Sequence, residues 1–241
     1  MQDPLVFLPC IMATASLFAP QLEFFGQDRP VTVAPLAPGE RVEEIASNLL
    51  DHLPRRFALA GMGLGGVVAM EMLRRAPDRL SRIALINTHS LAETPQTAAA
   101  LEPLIIKLRA GQVDSAVSSF LPLDDLAAGP HRAAVMAEFT QMARGFDPAA
   151  IVKQLRAHQR RRDYQPVLRR CKVPALVMCG QQDGGTPVKR HGFMADLIPY
   201  AELAVIEEAG RLPTWEAPDA TNAALAAWLA QPYVLQKRAD A

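Results

Sequence analysis

Short apolar runs alternate with longer stretches of helical periodicity along this chain, the pattern that parallel α/β sheets produce. Residues 5–8 and 31–34 read as strands with a helix over 17–25 between them. Residues 41–52 follow as a helix, 57–60 as a third strand, 67–75 as its helix and 82–87 as a fourth strand. Strand signals then stop. Across 92–165 apolar residues recur at helical spacing, which predicts helices over 96–110, 113–120, 132–144 and 148–159. Strand patterning returns over 173–179, then a helix over 188–198, a strand over 202–206 and a last amphipathic helix ending near Ala230. Pro30, Pro35, Pro38, Pro54, Pro166, Pro174, Pro187 and Pro218 fall at the boundaries this alternation requires.

The pattern predicts a mostly parallel, doubly wound sheet of about six strands. Residues 1–92 and 166–241 form its core, and 93–165 a helical lid inserted in it. At 241 residues and 50% apolar composition, the chain is long enough for one sizeable core. Lysines and arginines equal aspartates and glutamates at 25 each, so no global field favours nucleic acid or a membrane surface. That leaves a small molecule as the expected partner, an anionic one being an option. Cys10, Cys171 and Cys179 make neither a disulfide framework nor a CxxC pair, which predicts a reducing cytoplasm. Residues 5–19 contain Pro9 and follow an acidic rather than basic leader, so they are expected to be a strand and loop and not a signal peptide. No apolar run approaches the roughly 20 residues of a membrane span. The end of the tail over 231–241 is polar and expected to fray.

Candidate chemistry gathers at three loops. The first is Gly61-Met62-Gly63-Leu64-Gly65-Gly66, a glycine-rich turn between a strand and a helix. It lacks Gly-x-Gly-x-x-Gly spacing and any following Gly-Lys-Ser/Thr, which argues against a nucleotide site. The second is Gly180-Gln181-Gln182-Asp183-Gly184-Gly185-Thr186-Pro187 after a strand. The third, Ala209-Gly210-Arg211-Leu212-Pro213, follows the last strand. Near the N-terminus, Leu8-Pro9-Cys10-Ile11-Met12 forms a fourth strand-end loop.

Together these resemble the α/β-hydrolase superfamily, close to its short bacterial esterase, lactonase and carbon–carbon hydrolase branch, over nearly the whole length. The resemblance implies an α/β-hydrolase fold in which Gly63 stands where Gly-x-Ser-x-Gly carries the nucleophile. Asp183 falls at the triad acid and Arg211 at the triad histidine. The loop at Cys10, Ile11 and Met12 matches the Pro-Gly or His-Gly segment that supplies an oxyanion amide, with the second amide after the elbow at Leu64. The antiparallel hairpin that opens larger members is expected to be absent.

Such a triad is degenerate: glycine has no attacking oxygen, and arginine, with a pKa above about 12, is no base near neutral pH. Glycine also takes the strained turn without the roughly 1–3 kcal/mol a serine stores there. Arg211 is expected either to pair with Asp183 or to point into the pocket and hold a carboxylate or carbonyl. His89, on the rim after the fourth strand, is the candidate replacement base, with a solvent-facing loop histidine as the alternative. Cys10 is a candidate nucleophile, weighed against a small buried cysteine. His191 is expected on an exposed helix face, and His52, His131 and His158 in polar helical contexts; no histidine pair has metal-ligand spacing, and no metal or cofactor is implied.

Leu104, Ile105, Phe120, Phe139, Met142 and Phe146 either roof an apolar chamber or pack helix to helix. The basic run Arg156, Arg160, Arg161, Arg162, Arg169, Arg170 and Lys172 reads as a solvated face, or else as attraction for an acidic substrate. Three functions follow. The first is non-hydrolytic or substrate-assisted chemistry of lyase, cyclase or decarboxylase type on a carboxylate or carbonyl compound. The second is a pseudohydrolase that binds a ligand or partner without turnover. The third is an ester or lactone hydrolase whose nucleophile lies elsewhere or was removed by design.

Overall fold

A computed structural model of the chain describes residues 2–36 and 39–233; Pro38 and residues 234–241 of the polar tail lie outside the described residues. Six strands form one parallel sheet: β1 (Leu5–Leu8), β2 (Val31–Val33), β3 (Phe57–Met62), β4 (Leu80–Ile86), β5 (Ala175–Gly180) and β6 (Ala201–Ile206), in the order β2-β1-β3-β4-β5-β6. Every residue of β1, β3, β4 and β5 is buried, as expected of parallel strands covered on both faces. The edge strand β6 exposes Glu202 and Leu203.

Between strands run α1 (Ala19–Phe25), α2 (Val42–His52), α3 (Leu64–Arg75), α9 (Gln165–Leu168) and α10 (Val188–Leu197), and α11 (Pro213–Glu216) and α12 (Pro218–Ala230) follow β6. Helices α1 and α12 pack on one face of the sheet; α2, α3, α9 and α10 pack on the other. Five more helices intervene between β4 and α9: α4 (Pro95–Ala99), α5 (Glu102–Arg109), α6 (Val113–Phe120), α7 (Arg132–Arg144) and α8 (Pro148–Gln159), with a 3-10 turn at Leu123–Asp125. This segment rests on the core through α8 against α3 and α7 against α11.

Two predicted boundaries move for local reasons. The helix expected over 96–110 is broken in two, because Pro103 sits in the first turn of α5, where its missing N–H costs nothing, and would disrupt a continuous helix. Residues 15–18 form a 3-10 turn under Thr14, and α1 restarts with Pro20 in its first turn.

Strand order reverses at β1, whose neighbours are β2 on one side and β3 on the other. In open parallel sheets ligands bind outside the carboxyl ends of the strands at such a reversal. The register pairs Leu8 with Gly61, which brings the loop after β1, with Cys10 and Ile11, alongside the turn after β3, with Gly63 and Leu64.

Candidate active site

The turn from β3 to α3 is sharp. Gly63 has φ 54° and ψ −118°, a combination that strains any side-chain-bearing residue. Its N–H donates to Ile86 O at 3.0 Å, and its carbonyl accepts Thr88 Oγ1 at 2.8 Å, so β4 holds the turn from both ends. Gly65 faces the Leu8 carbonyl so closely that a Cβ there would overlap it, which is how α3 meets the end of β1. As the first residue of α3, Leu64 has an amide with no intrahelical acceptor. Among the described residues neither that amide nor the one at Ile11 has a hydrogen-bond partner. Cys10, Ile11, Gly63 and Leu64 line one cavity, and Met12 does not. Met12 has φ 65° and is fully buried, and its amide donates to Gln154 Oε1 of α8 at 3.1 Å.

Asp183, on the loop after β5, is 2% exposed. Its Oδ1 accepts Arg211 Nε at 2.8 Å, the Gly185 amide at 2.9 Å and the Thr186 amide at 3.1 Å. Oδ2 accepts Asn87 Nδ2 at 2.8 Å and the Thr186 hydroxyl. Burial pushes this carboxyl up, but the Arg211 charge and the bonds from Thr186, Asn87 and Arg211 outweigh it and hold it below the usual range. Asn87 reaches both Asp183 and the Gly210 carbonyl from a left-handed backbone (φ 42°) that asparagine tolerates better than most residues.

Arg211 does not stop at Asp183. Its Nη2 donates to Asp125 Oδ2 at 2.6 Å, and its amide donates to the Asp125 carbonyl at 2.7 Å, tying the inserted segment to the sheet. The guanidinium lies against Gly185 where a Cβ would overlap it. One fixed cation between two carboxylates leaves this corner with a formal charge of about −1. Glu216 completes the fastening by accepting the amides of Gly210 at 3.1 Å, Leu212 at 2.7 Å and Ala127 at 2.5 Å.

The cavity encloses about 350 Å³. Leu104, Phe120 and Phe139 of the inserted helices line it, together with Leu101 and Leu121, whereas Ile105, Met142 and Phe146 pack elsewhere. His89, His158 and Arg161 line it as well. The basic run had suggested a solvated face, and most of it is one: Arg160, Arg162, Arg169 and Arg170 are exposed. Arg161 differs, with its side chain fully buried. Its Nε donates to Leu91 O at 2.9 Å, its Nη1 lies 2.6 Å from His158 Nε2, and its Nη2 lies 2.5 Å from His89 Nε2 and 2.7 Å from Glu93 Oε1. Burial and then the neighbouring Arg161 charge push His89 down to about 3 and His158 to about 4, so both are neutral acceptors near neutral pH. Burial likewise lowers Arg161 to about 10, still a cation.

One histidine placement corrects the sequence reading. His191 is fully buried, not on an exposed face, because α10 turns it toward β4, where its Nε2 accepts the Thr88 amide at 3.2 Å. His158 is half-buried on α8, one turn after Leu155, with Arg161 and Glu93 beside it. Burial pushes the Cys10 thiol up to about 12, far from the thiolate a nucleophile needs. Asp125, Gln154, Arg161 and Glu216 were not singled out as site residues. For Arg161 a signal existed: with His158 it extends the face of α8 that Ile151 and Leu155 bury. A larger open groove of about 970 Å³, with Arg56, Arg162 and Lys172, lies near the opposite ends of β4 and β5, beside Leu80 and Val173. Among the described residues no cluster of metal-ligating side chains is found and no helix is long and apolar enough to cross a membrane.

This geometry has counterparts in known proteins. The family described as alpha/beta hydrolase fold matches residues 39–218, and the chain belongs to it. It is similar to the pimeloyl-[acyl-carrier protein] methyl ester esterase of Aromatoleum aromaticum, 27% identical over 205 residues that cover 76% of this chain and 78% of that one. Among solved structures, a thermophilic esterase from Thermogutta terrifontis aligns with TM-score 0.85 at 22% identity, covering 95% of this chain and 90% of that one. The enol-lactonase from Burkholderia xenovorans LB400 aligns with TM-score 0.83 at 22% identity, covering 96% and 92%. At these identities the structural likeness speaks for the fold.

Proposed function

We propose that this chain keeps the ligand chamber of an esterase-like ancestor and binds a small molecule there without serine–histidine chemistry. The observation that carries the reading is the wall of the cavity at Gly63: the crest of the strand-to-helix turn presents no side chain, and the Cys10 Cβ stands in the space one would fill. The rest of a degenerate triad agrees. Arg211, at the histidine position, is fastened to Asp183 and Asp125, so it serves as a clasp between core and lid more readily than as a ligand hook. His89 gives its Nε2 to Arg161 and has no nucleophile beside it, which weakens its candidacy as a base. On this reading 93–165 is the lid over a core of 1–92 and 166–241. Three free, buried cysteines suit a cytoplasmic protein.

A second reading has one specific support. The unpartnered amides of Ile11 and Leu64 beside Gly63 form a pair of donors able to stabilise an oxyanion or enolate without a protein nucleophile, which suits lyase-type or substrate-assisted chemistry on a carbonyl compound. Incubation with a fluorophosphonate probe and p-nitrophenyl esters separates these from ordinary hydrolysis. Both readings expect no covalent adduct and no ester turnover; a labelled residue in the cavity would overturn both. Turnover of a carbonyl substrate without any adduct would favour the second.

A further inference from the structure

Resting on the reading of the cavity as a ligand chamber, we propose that Arg161, His89 and His158 form a carboxylate seat, and that the ligand is a small monoanionic carboxylic acid with an apolar body. All three side chains line the cavity. A guanidinium has five N–H donors, and the partners of Arg161 take four: Leu91 O, His158 Nε2, His89 Nε2 and Glu93 Oε1. One N–H on Nη1 remains. A neutral imidazole that accepts from Arg161 through one ring nitrogen keeps an N–H on the other, and His158 Nε2 also lies 3.3 Å from Glu93 Oε1. The spare Nη1 N–H therefore calls for an acceptor, which suits a group that brings lone pairs only.

Charge narrows the choice to a single negative ligand. Glu93 balances Arg161, so every negative charge on the ligand is uncompensated in a dry site; a carboxylate brings one and gains a charge-assisted bond from a cation that cannot release its proton, whereas a dianion brings two. Leu101, Leu104, Phe120, Leu121 and Phe139 provide an apolar wall. The volume of about 350 Å³ exceeds twice the roughly 150 Å³ of a cavity that holds benzene, so a ring with a short acidic arm fits.

The test compares two isosteres on the full chain by calorimetric titration: phenylacetate and the neutral phenylacetamide. The expected result is phenylacetate binding about tenfold or more tightly, with both lost in Leu104→Trp, which fills the chamber. Equal affinity for the two, abolished alike by Leu104→Trp, would keep the chamber and overturn the seat. Tighter binding of the amide, or binding that survives Leu104→Trp, would also overturn the seat; silence from both probes would overturn seat and chamber together. Replacing Arg161→Gln with Glu93→Gln removes both charges without stranding a buried carboxylate. The double variant is expected to bind the two probes equally, at the wild-type affinity for the amide, and a retained preference for phenylacetate overturns the seat. Where circular dichroism finds that variant unfolded, the wild-type comparison decides alone.

Discussion

A Cβ built on Gly63 would lie 2.9 Å from the Cβ of Cys10. The crest of the β3–α3 turn and the residue after Pro9 are thus sterically linked. Placing serine at position 63 alone should collide with Cys10 and also strain a backbone at φ 54°. Gly63→Ser is expected to lower stability by about 1–3 kcal/mol, and Gly63→Ser with Cys10→Gly to recover part of that. Urea midpoints of the two variants measure the difference; equal midpoints would show that the contact is harmless.

On the reading proposed above, giving this cavity a serine–histidine pair should therefore need three changes. Asp183 keeps four donors besides Arg211, so it remains positioned to orient an imidazole. Cys10→Gly, Gly63→Ser and Arg211→His together are expected to hydrolyse p-nitrophenyl acetate above the wild-type background, while the pair lacking Cys10→Gly stays silent. An active pair would mean that Cys10 yields easily.

Asp125→Ala removes the bond from Arg211 Nη2 and leaves the guanidinium one partner short. The pair is largely buried, and hydrogen bonds to charged groups of this kind contribute about 1.5–3 kcal/mol. The variant should lose about 1–2 kcal/mol of stability and gain hydrogen exchange in residues 123–131, where the clasp holds the inserted segment. Unchanged exchange there would assign the fastening to Glu216 instead.

Acid sensitivity should begin before the carboxylates titrate. His89, His158 and His191 are all pushed below the usual histidine value of about 6.5, in each case first by burial. Between that value and each folded value the unfolded chain binds more protons, so stability rises with pH across the window and is lost as pH falls through it. Asp183 acts lower down: its depressed value contributes stability that is complete above about 3.9 and lost below. Denaturant midpoints should decline from about pH 6.5 downward, and His158→Gln should flatten that slope. A flat profile to about pH 4.5 would contradict the burial of these rings.

Much of the architecture was legible because apolar runs and helical periodicity are local signals, and three helices of the inserted segment carry the predicted bounds. The meeting of Asp183 with Arg211 was one of two arrangements readable from motif order. What sequence could not supply were the contacts across the fold. Asp125 lies in an ordinary acidic turn, Leu123–Asp125, and only tertiary packing sets it on Arg211. Arg161 looked like its exposed neighbours because a run of arginines hides which one the helix end turns inward. Gln154 is a polar residue on a helix whose task, holding the Met12 amide, depends on a partner 142 positions away.

The fastening of Asp125 to Arg211 also bears on traffic. On the proposed reading, a ligand beneath these helices leaves only when some part of the roof parts from the floor, and Arg211 rivets one such contact. Guanidinium keeps its proton, so acid can loosen that rivet only through its carboxylates, of which Asp125 is the one that burial pushes up. The dwell time of whatever occupies the chamber is then tied to how often Asp125 lets go of Arg211.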